Sequence, residues 1–215
     1  MALVASETGG KQIDPVPEGV HIAVCYALYD LGTQYNETFQ KSAHKVLIAW
    51  ELPDITMELE RDGHAETMPR VISKQYTCSL HEKATLRAHL QSWRGRSFTA
   101  DELAGFDLRS ILGHACQMQI IHATRESDGR VFANISAILP LPKGATKPEP
   151  VNPKVQFDIE DAAVPEQVPE WIVKIIEASE EWQARAAANA EHDPGDAVEA
   201  PTDTVTDDDF DDVPF

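Results

Sequence analysis

Aromatic and cationic side chains are interleaved through the middle of this chain in a pattern that suits one kind of chemistry. Tyr35, Lys41, Lys45, Lys74, Tyr76, Arg94, Arg96 and Phe132 alternate flat π-faces with positive charge. Such rings stack on nucleobases of any identity, while lysine and arginine follow a phosphodiester backbone. Tyr26, Phe39, Trp50 and Trp93 lie in the same stretch, although Trp50 and Trp93 continue apolar stripes and are expected in the core. Lys74 and Tyr76 are two apart on an expected strand and so share a face. Arg94 and Arg96 flank Gly95 just past an expected helix end, where cations also answer the helix dipole.

Other chemistry finds little support. The chain has no phosphate-cradling glycine loop, nucleophile elbow or HExxH helix. His114, Cys116 and His122 share a face if their strand is regular, yet eight residues span about 27 Å at strand rise, too far for one ion. Nothing selects a pair among the many carboxylates for acid–base work. No catalytic residue, metal or cofactor is therefore expected, and the chain reads as a binding protein rather than an enzyme.

The formal charge of −18 seems to argue against a nucleic-acid partner, but its distribution does not. Residues 1–147 hold 15 Lys/Arg and 17 Asp/Glu, whereas residues 148–215 hold 3 and 19. Within the nearly neutral part, residues 70–96 carry Arg70, Lys74, Lys83, Arg87, Arg94 and Arg96 against Glu82 alone. That excess predicts a phosphate-facing surface. The acidity culminates in Asp207, Asp208, Asp209, Phe210, Asp211, Asp212, Val213, Pro214 and Phe215. Like charges at this density repel, so the segment is expected to be solvated and disordered, either a solubility tail or a linear motif anchored by Phe215. Three widely spaced cysteines predict free thiols in a reducing compartment. With no apolar leader and no spanning run, a cytoplasmic protein without membrane contact is expected.

The elements that must position these residues follow from periodicity. "GVHIAVCYALYDLG" sets Val20, Ile22, Val24, Tyr26 and Leu28 at alternate positions, and "HKVLIAWELP" does the same with Val46, Ile48, Trp50 and Leu52 before Pro53 ends the run. "RVISKQYTCSL" predicts a third strand, with Ile72, Tyr76 and Cys78 close to one face and Cys25 and Cys78 as small core residues. Residues 54–69 read as a long loop or an extended hairpin. A Ser79/Glu82 capping box then opens a helix with the stripe Leu86, Leu90 and Trp93, which stops at Gly95. Thr99/Glu102 opens a shorter one, and "FDLRSILG" adds one or two turns. "ACQMQIIH" and "VFANISAIL" predict two closing strands. Three strands, a helical insert and two strands predict a mainly β fold, a five-stranded OB-type barrel over residues 1–147, with an SH3-like barrel or an open α+β sheet as alternatives. Residues 148–168 are proline-rich and linker-like. Residues 169–190 predict one amphipathic helix with the stripe Trp171, Ile175, Ala178 and Trp182, docking on the barrel or on a second copy. Residues 191–215 form the expected disordered tail.

Several of these motifs together carry a resemblance. "YDLGTQ", "WELP", "SKQYTCSLHEKATLRAHLQSWRGRSFT", "GFDLRSILG" and "ANISAILPLPKG" resemble the OB-fold single-stranded DNA-binding proteins of tailed phages over residues 19–144, as do "PEWI" and "SEEW" later. The resemblance implies sequence-tolerant binding of single-stranded DNA during phage replication or recombination in the host cytoplasm. The end of the chain is similar to the tips of bacterial single-stranded DNA-binding proteins, which implies capture of the terminal Phe and carboxylate by replication or recombination enzymes. Phe210 among the aspartates departs from that pattern. Two other classes compete: an acidic DNA mimic of the anti-restriction kind, and a metal-dependent nuclease using tail or loop carboxylates.

Overall fold

Strand β1 (Gly19–Asn36) is the axis of the sheet, and its length lets it serve three neighbours. Along one edge it pairs antiparallel with β2 (Lys41–Arg61), from Val24 opposite Glu51 to Asn36 opposite Lys41. Along the other, its first part pairs antiparallel with β4 (Ala115–Thr124) and its middle pairs parallel with β6 (Val155–Phe157). Adding β3 (His64–Thr77) and β5 (Val131–Leu139) makes a mainly β, six-stranded sheet in the order β3-β2-β1-β4-β5, with β6 off that path. Helix α1 (Thr85–Arg94), helix α2 (Ala100–Ala104) and a 3-10 turn (Leu108–Ile111) lie between β3 and β4. Helices α3 (Glu170–Glu177) and α4 (Glu180–His192) follow β6. The computed structural model describes residues 14–61, 64–126 and 129–192.

Two cores lie on opposite sides of this sheet. The first gathers Ala23, Cys25 and Leu28 of β1, Val46, Ile48, Trp50 and Leu52 of β2, Ile72 and Tyr76 of β3, and Cys116, Met118 and Ile120 of β4. Helix α1 closes it with Leu86, Leu90 and Trp93, the expected stripe. The second core holds Ala27, Tyr29 and Leu31 of β1 with Leu47 and Ala49 of β2, beneath Val155, Phe157, Ile159, Val168, Ile172 and Ile176. The strand alternation expected for β2 therefore holds. That of β1 does not: a bulge between Cys25 and Ala27 shifts the phase, and Val20 is 55% exposed. From Ala23 to Leu31 the strand is buried on both faces, so a period-2 pattern could not reveal which side is which.

Other boundaries also move. Pro53 does not end β2. It sits in the register shift between Leu52 and Thr56, where a residue without an N–H costs no ladder bond, and the strand runs on to Arg61. The segment between the two apolar runs is thus the extended hairpin of the two alternatives. Cys78 is exposed, not core, because β3 stops at Thr77 and the chain turns with Ser79 N–H donating to the Thr77 carbonyl. Ser79 does not cap α1. Its Oγ accepts from His81 N–H, and α1 begins after Ala84 with no side-chain cap. The Thr99–Glu102 capping box of α2 is present in full.

The proline-rich segment differs most from expectation. Instead of a linker, it supplies β6 and packs Val155, Phe157 and Ile159 into the second core. Its entry is held by Glu51, a fully buried carboxylate on β2. Glu51 Oε1 accepts from Val151 N–H (2.6 Å), and Oε2 accepts from Asn152 N–H (2.8 Å) and Asn152 Nδ2 (2.6 Å). Three donors on one carboxylate compensate its desolvation.

The expected single helix over 169–190 is likewise two helices. Ser179 is buried at the break, donating to the Ile176 carbonyl (2.6 Å) and accepting from Trp182 N–H (3.3 Å) as the N-cap of α4. The break resets the helical phase, so Ile172, Ile176 and Ser179 face the sheet while Trp171 is 51% exposed. Trp182 rests on Phe157 with ring centroids 6.4 Å apart. The docking of this segment on the sheet is as expected, through a different face.

The expected barrel is present only as its strand order. Among the described residues no backbone ladder joins the outer strands β3 and β5. A side chain crosses between them instead: Lys74 Nζ donates to Asn134 Oδ1 (2.9 Å) and the Ile135 carbonyl (3.4 Å).

Glu51→Gln leaves a single acceptor oxygen and turns an NH₂ toward converging N–H groups. It is expected to lower the unfolding free energy by about 1–3 kcal/mol. Urea denaturation measures that loss, and amide exchange should accelerate first at Val151, Asn152 and Val155.

Candidate nucleic-acid interface

Two strand lysines and a loop lysine converge where β3 meets the start of α1. Lys45 of β2 lies opposite Thr77 of β3, and its Nζ donates to Thr77 Oγ1 (2.8 Å). Lys74 of β3 is half-buried, bridged to β5 as described, and burial lowers its pKa from the usual lysine value. Lys83 is exposed on the turn before α1. Together they line a cleft of about 320 Å³ with Gln75, Tyr76, Thr77, Ala84, Thr85 and Leu86, and among the described residues no carboxylate lines it.

The helix itself adds to this potential. Ala84 offers no side-chain cap, and the first turn of α1 contains no acidic residue. Its leading N–H groups and the positive end of its dipole therefore remain available beside the lysines. Such a helix start is suited to an anion, phosphate above all. Lys83 and this uncapped start were not among the expected site residues. The signal for Lys83 lay in the basic excess over 70–96. The helix start was hidden by the Ser79/Glu82 pattern, which places the cap five residues too early.

The expected site residues separate into three groups. Lys45 and Lys74 form the cleft, and Phe132 lies close to it: Phe132 stands two residues from Asn134 on β5, the residue that Lys74 holds, and is 40% exposed. Tyr35, Phe39 and Lys41 are exposed on the β1–β2 turn, with Tyr35 at 59% and Phe39 at 72%. Strand β2 runs from Lys41 directly to Lys45, about 13 Å at strand rise. Gln40 at φ 48° and Phe39 N–H donating to Asn36 Oδ1 (3.0 Å) shape that turn so that its aromatic side chains project.

The third group belongs to the interior or to another surface. Tyr76 is 4% exposed; its hydroxyl bonds to His89 Nδ1 (2.9 Å) and its ring meets the imidazole edge-on. Burial pushes the Tyr76 phenol up, and burial with the nearby Lys74 charge pushes His89 down, so both are neutral around pH 7. Tyr76 is a floor of the cleft and not a stacking platform. Trp50 and Trp93 are core residues in contact with each other, and Tyr26 is half-buried beside the second core.

Arg94 and Arg96 serve Glu102. Arg94 ion-pairs with Glu102 and lies over the Phe98 and Phe106 rings, 4.5 and 4.9 Å from their centroids. Arg96 Nη2 reaches the same carboxylate at 2.7 Å. Arg96, the Thr99 N–H and Arg94 together hold the Glu102 carboxyl down to about 2. Both arginines border a separate pocket with Trp93, Phe106 and Ile111, so they take no part in the lysine cleft.

The partner-docking candidates in residues 207–215 lie outside the described residues. Part of the acidity expected in the tail proves to be folded, because residues 148–192 carry 10 Asp/Glu against 3 Lys/Arg. The β6–α3–α4 layer over β1 and β2 is thus an acidic face, and the lysine cleft sits off it. No family model matches the chain, and a search of curated proteins likewise finds no match.

Tyr76→Ala is expected to cost about 3–5 kcal/mol, as for other buried aromatic truncations. Tyr76→Phe removes only the bond to His89 and should cost roughly 1 kcal/mol. Paired urea titrations compare them; equal costs would contradict a packing role.

Proposed function

We propose that this protein is a sequence-tolerant single-stranded DNA-binding protein whose contact surface runs from the β1–β2 turn through the lysine cleft toward Phe132. The observation that carries the reading is the cleft itself: Lys45, Lys74 and Lys83 around an uncapped helix start, with no carboxylate among its described lining residues. Three cations and a helix dipole in one groove suit successive phosphates of a flexible strand. The projecting Phe39 and Tyr35 at one end, and Phe132 at the other, offer π-faces on which bases of any type stack. A duplex has its bases already stacked and hidden, so aromatic platforms of this kind favour a single strand.

The sheet is read as an OB-type barrel open between β3 and β5. Its strand order and the placement of α1 between β3 and β4 support this, as does Lys74 spanning the gap. The acidic β6–α3–α4 layer covers the outer face of β1 and β2, so a polyanion is directed to the cleft side. The residues 207–215 enter the reading through their composition: an aspartate-rich segment with Phe210 and Phe215 suits a basic-rimmed, apolar pocket on a replication or recombination enzyme.

Fluorescence anisotropy with mixed-sequence oligonucleotides tests the central claim. Each phosphate neutralised adds about −0.7 to the log–log salt slope. Changing Lys45, Lys74 and Lys83 together to Gln should therefore flatten the slope by roughly 2 and weaken binding at low salt. Phe39→Ala should cost about 1–3 kcal/mol of affinity if a base stacks there. Absence of binding at low salt, or an unchanged slope in the triple variant, refutes the reading. Deleting residues 207–215 should abolish capture of replication or recombination enzymes in pull-downs while retaining DNA binding; an unaltered partner list would reduce the segment to a charged brush.

A further inference from the structure

The layer of β6, α3 and α4 stops short of β3: no β3 residue belongs to the second core. Ile72 turns to the first core, so Val71 and Ser73 face the other side, opposite Glu51 and Ala49 of β2. A groove of about 100 Å³ remains between them and the start of α3. Its walls include Tyr26 and Tyr29 of β1, Val71 and Ser73, and Pro169 and Trp171. Val71 is 48% exposed, and Trp171, half exposed, has no part in either core. The groove also leaves polar atoms unused. Among the described residues, neither tyrosine hydroxyl nor the Trp171 indole N–H makes a hydrogen bond. Burial raises both phenols, helped at Tyr26 by Glu51, so both stay protonated and able to donate.

We propose that this groove binds a proline-rich segment of another protein, in polyproline II form and flanked by lysine or arginine, a claim that stands apart from the nucleic-acid reading. Such a segment presents carbonyls with few N–H groups, since proline has none and the conformation makes no internal hydrogen bonds. Two phenols and an indole N–H, all without an acceptor, answer that excess of carbonyls. Grooves lined by aromatic rings are the usual seats of such segments. Charge selects the flanks. Residues 148–192, which build the layer beside the groove, carry 10 Asp/Glu against 3 Lys/Arg. Glu166 and Glu170 stand exposed just ahead of Trp171, and Glu170 already holds Lys174 at 2.7 Å. The indole face itself attracts a cation. The same acidity turns away a polyanion, and a second copy would set one acidic layer against another.

Fluorescence anisotropy of a labelled peptide of about twelve residues, built of Pro-Pro-Lys repeats, tests this; the three-residue turn sets its lysines along one edge. Saturable binding by the full chain is expected below about 1 mM. A Gly-Ser-Lys peptide of equal length and charge should bind at least about tenfold more weakly, because it must lose the freedom that proline has already removed. Trp171→Ala should weaken binding of the Pro-Pro-Lys peptide about tenfold or more. Tyr26→Phe, which removes one donor, should weaken it roughly three- to tenfold. Thermal unfolding of the Trp171 variant should match the parent, since that side chain is half exposed. Changing Lys45, Lys74 and Lys83 together to Gln should leave peptide binding unaltered. No saturable binding overturns the proposal, and so does equal binding of the two lysine peptides, which would reduce the effect to charge. Binding that survives Trp171→Ala puts the peptide elsewhere and overturns it as well. If a Pro-Pro-Glu peptide binds as tightly, the acidic layer selects nothing and the proposal falls.

Discussion

Everything in this structure depends on one strand being buried on both faces. Residues 23–31 of β1 feed the first core through Ala23, Cys25 and Leu28 and the second through Ala27, Tyr29 and Leu31, and the bulge after Cys25 makes the switch. A strand at the edge or surface of a sheet would need only one packing partner. A doubly buried strand needs two, and the chain supplies α1 for one side and the β6–α3–α4 layer for the other. Two local features follow from that requirement. Gly32 has φ 66°, and a Cβ there would come within 2.7 Å of Ser179 Cβ and Glu181 Oε2, so the close seating of α4 needs the missing side chain. Glu51 puts a buried carboxylate under the returning chain, where the backbone N–H groups of Val151 and Asn152 have no strand to pair with.

The same seat is held by polar contacts at the far end of β1. Thr33 donates to Glu181 through both N–H (2.7 Å) and Oγ1 (2.6 Å), Ser42 donates to Glu180, and His44 Nε2 lies 2.7 Å from Asp30. The Thr33 bonds keep the Glu181 carboxyl below its ordinary range despite partial burial. The acidic layer is thereby fastened to the hairpin whose turn presents Tyr35, Phe39 and Lys41. Positive and negative surfaces stand at different places on the sheet: lysines gather at the β3–α1 edge, carboxylates over β1 and β2. A cationic groove next to an acidic face confines a polyanion to one path, which is a matter of where charges stand and not of their sum.

The arginines show why a basic sequence segment is a poor map of a basic surface. Arg70 to Arg96 looks like a single cationic stretch, yet Arg87 bonds Gln91 and the Leu80 carbonyl, and Arg94 and Arg96 are consumed by Glu102. Each guanidinium finds several partners because it presents five donors in a plane, and so it is readily absorbed into structure. Lys45 and Lys74 bond neutral groups, Thr77, Asn134 and the Ile135 carbonyl, so those contacts leave their charge unopposed. The periodic signals were legible where a single face is buried. Val46, Ile48, Trp50 and Leu52, and the helical stripe Leu86, Leu90 and Trp93, all pack as their spacing implies. Tyr76 shares a face with Lys74, which alone suggests exposure; that face is the inner one, and the lysine reaches the rim only through its length.

What the sequence by itself determined is the set of local elements: strands β1 to β5, α1, the α2 capping box, the 3-10 turn, and a C-terminal helical segment that packs on the sheet. Those follow from side-chain period and from caps that act within four residues, both of which are written in neighbouring positions. Tertiary structure alone decided the rest. The proline-rich 151–159 segment carries only the short alternation Val155, Phe157 and Ile159, and becomes a strand only because Glu51 and the open edge of β1 lie a hundred residues away to receive it. The break at Ser179 exists because Gly32 leaves room for it. The meeting of Lys45, Lys74 and Lys83 likewise depends on strand register and on where α1 happens to start, quantities set by long-range pairing that no local pattern encodes.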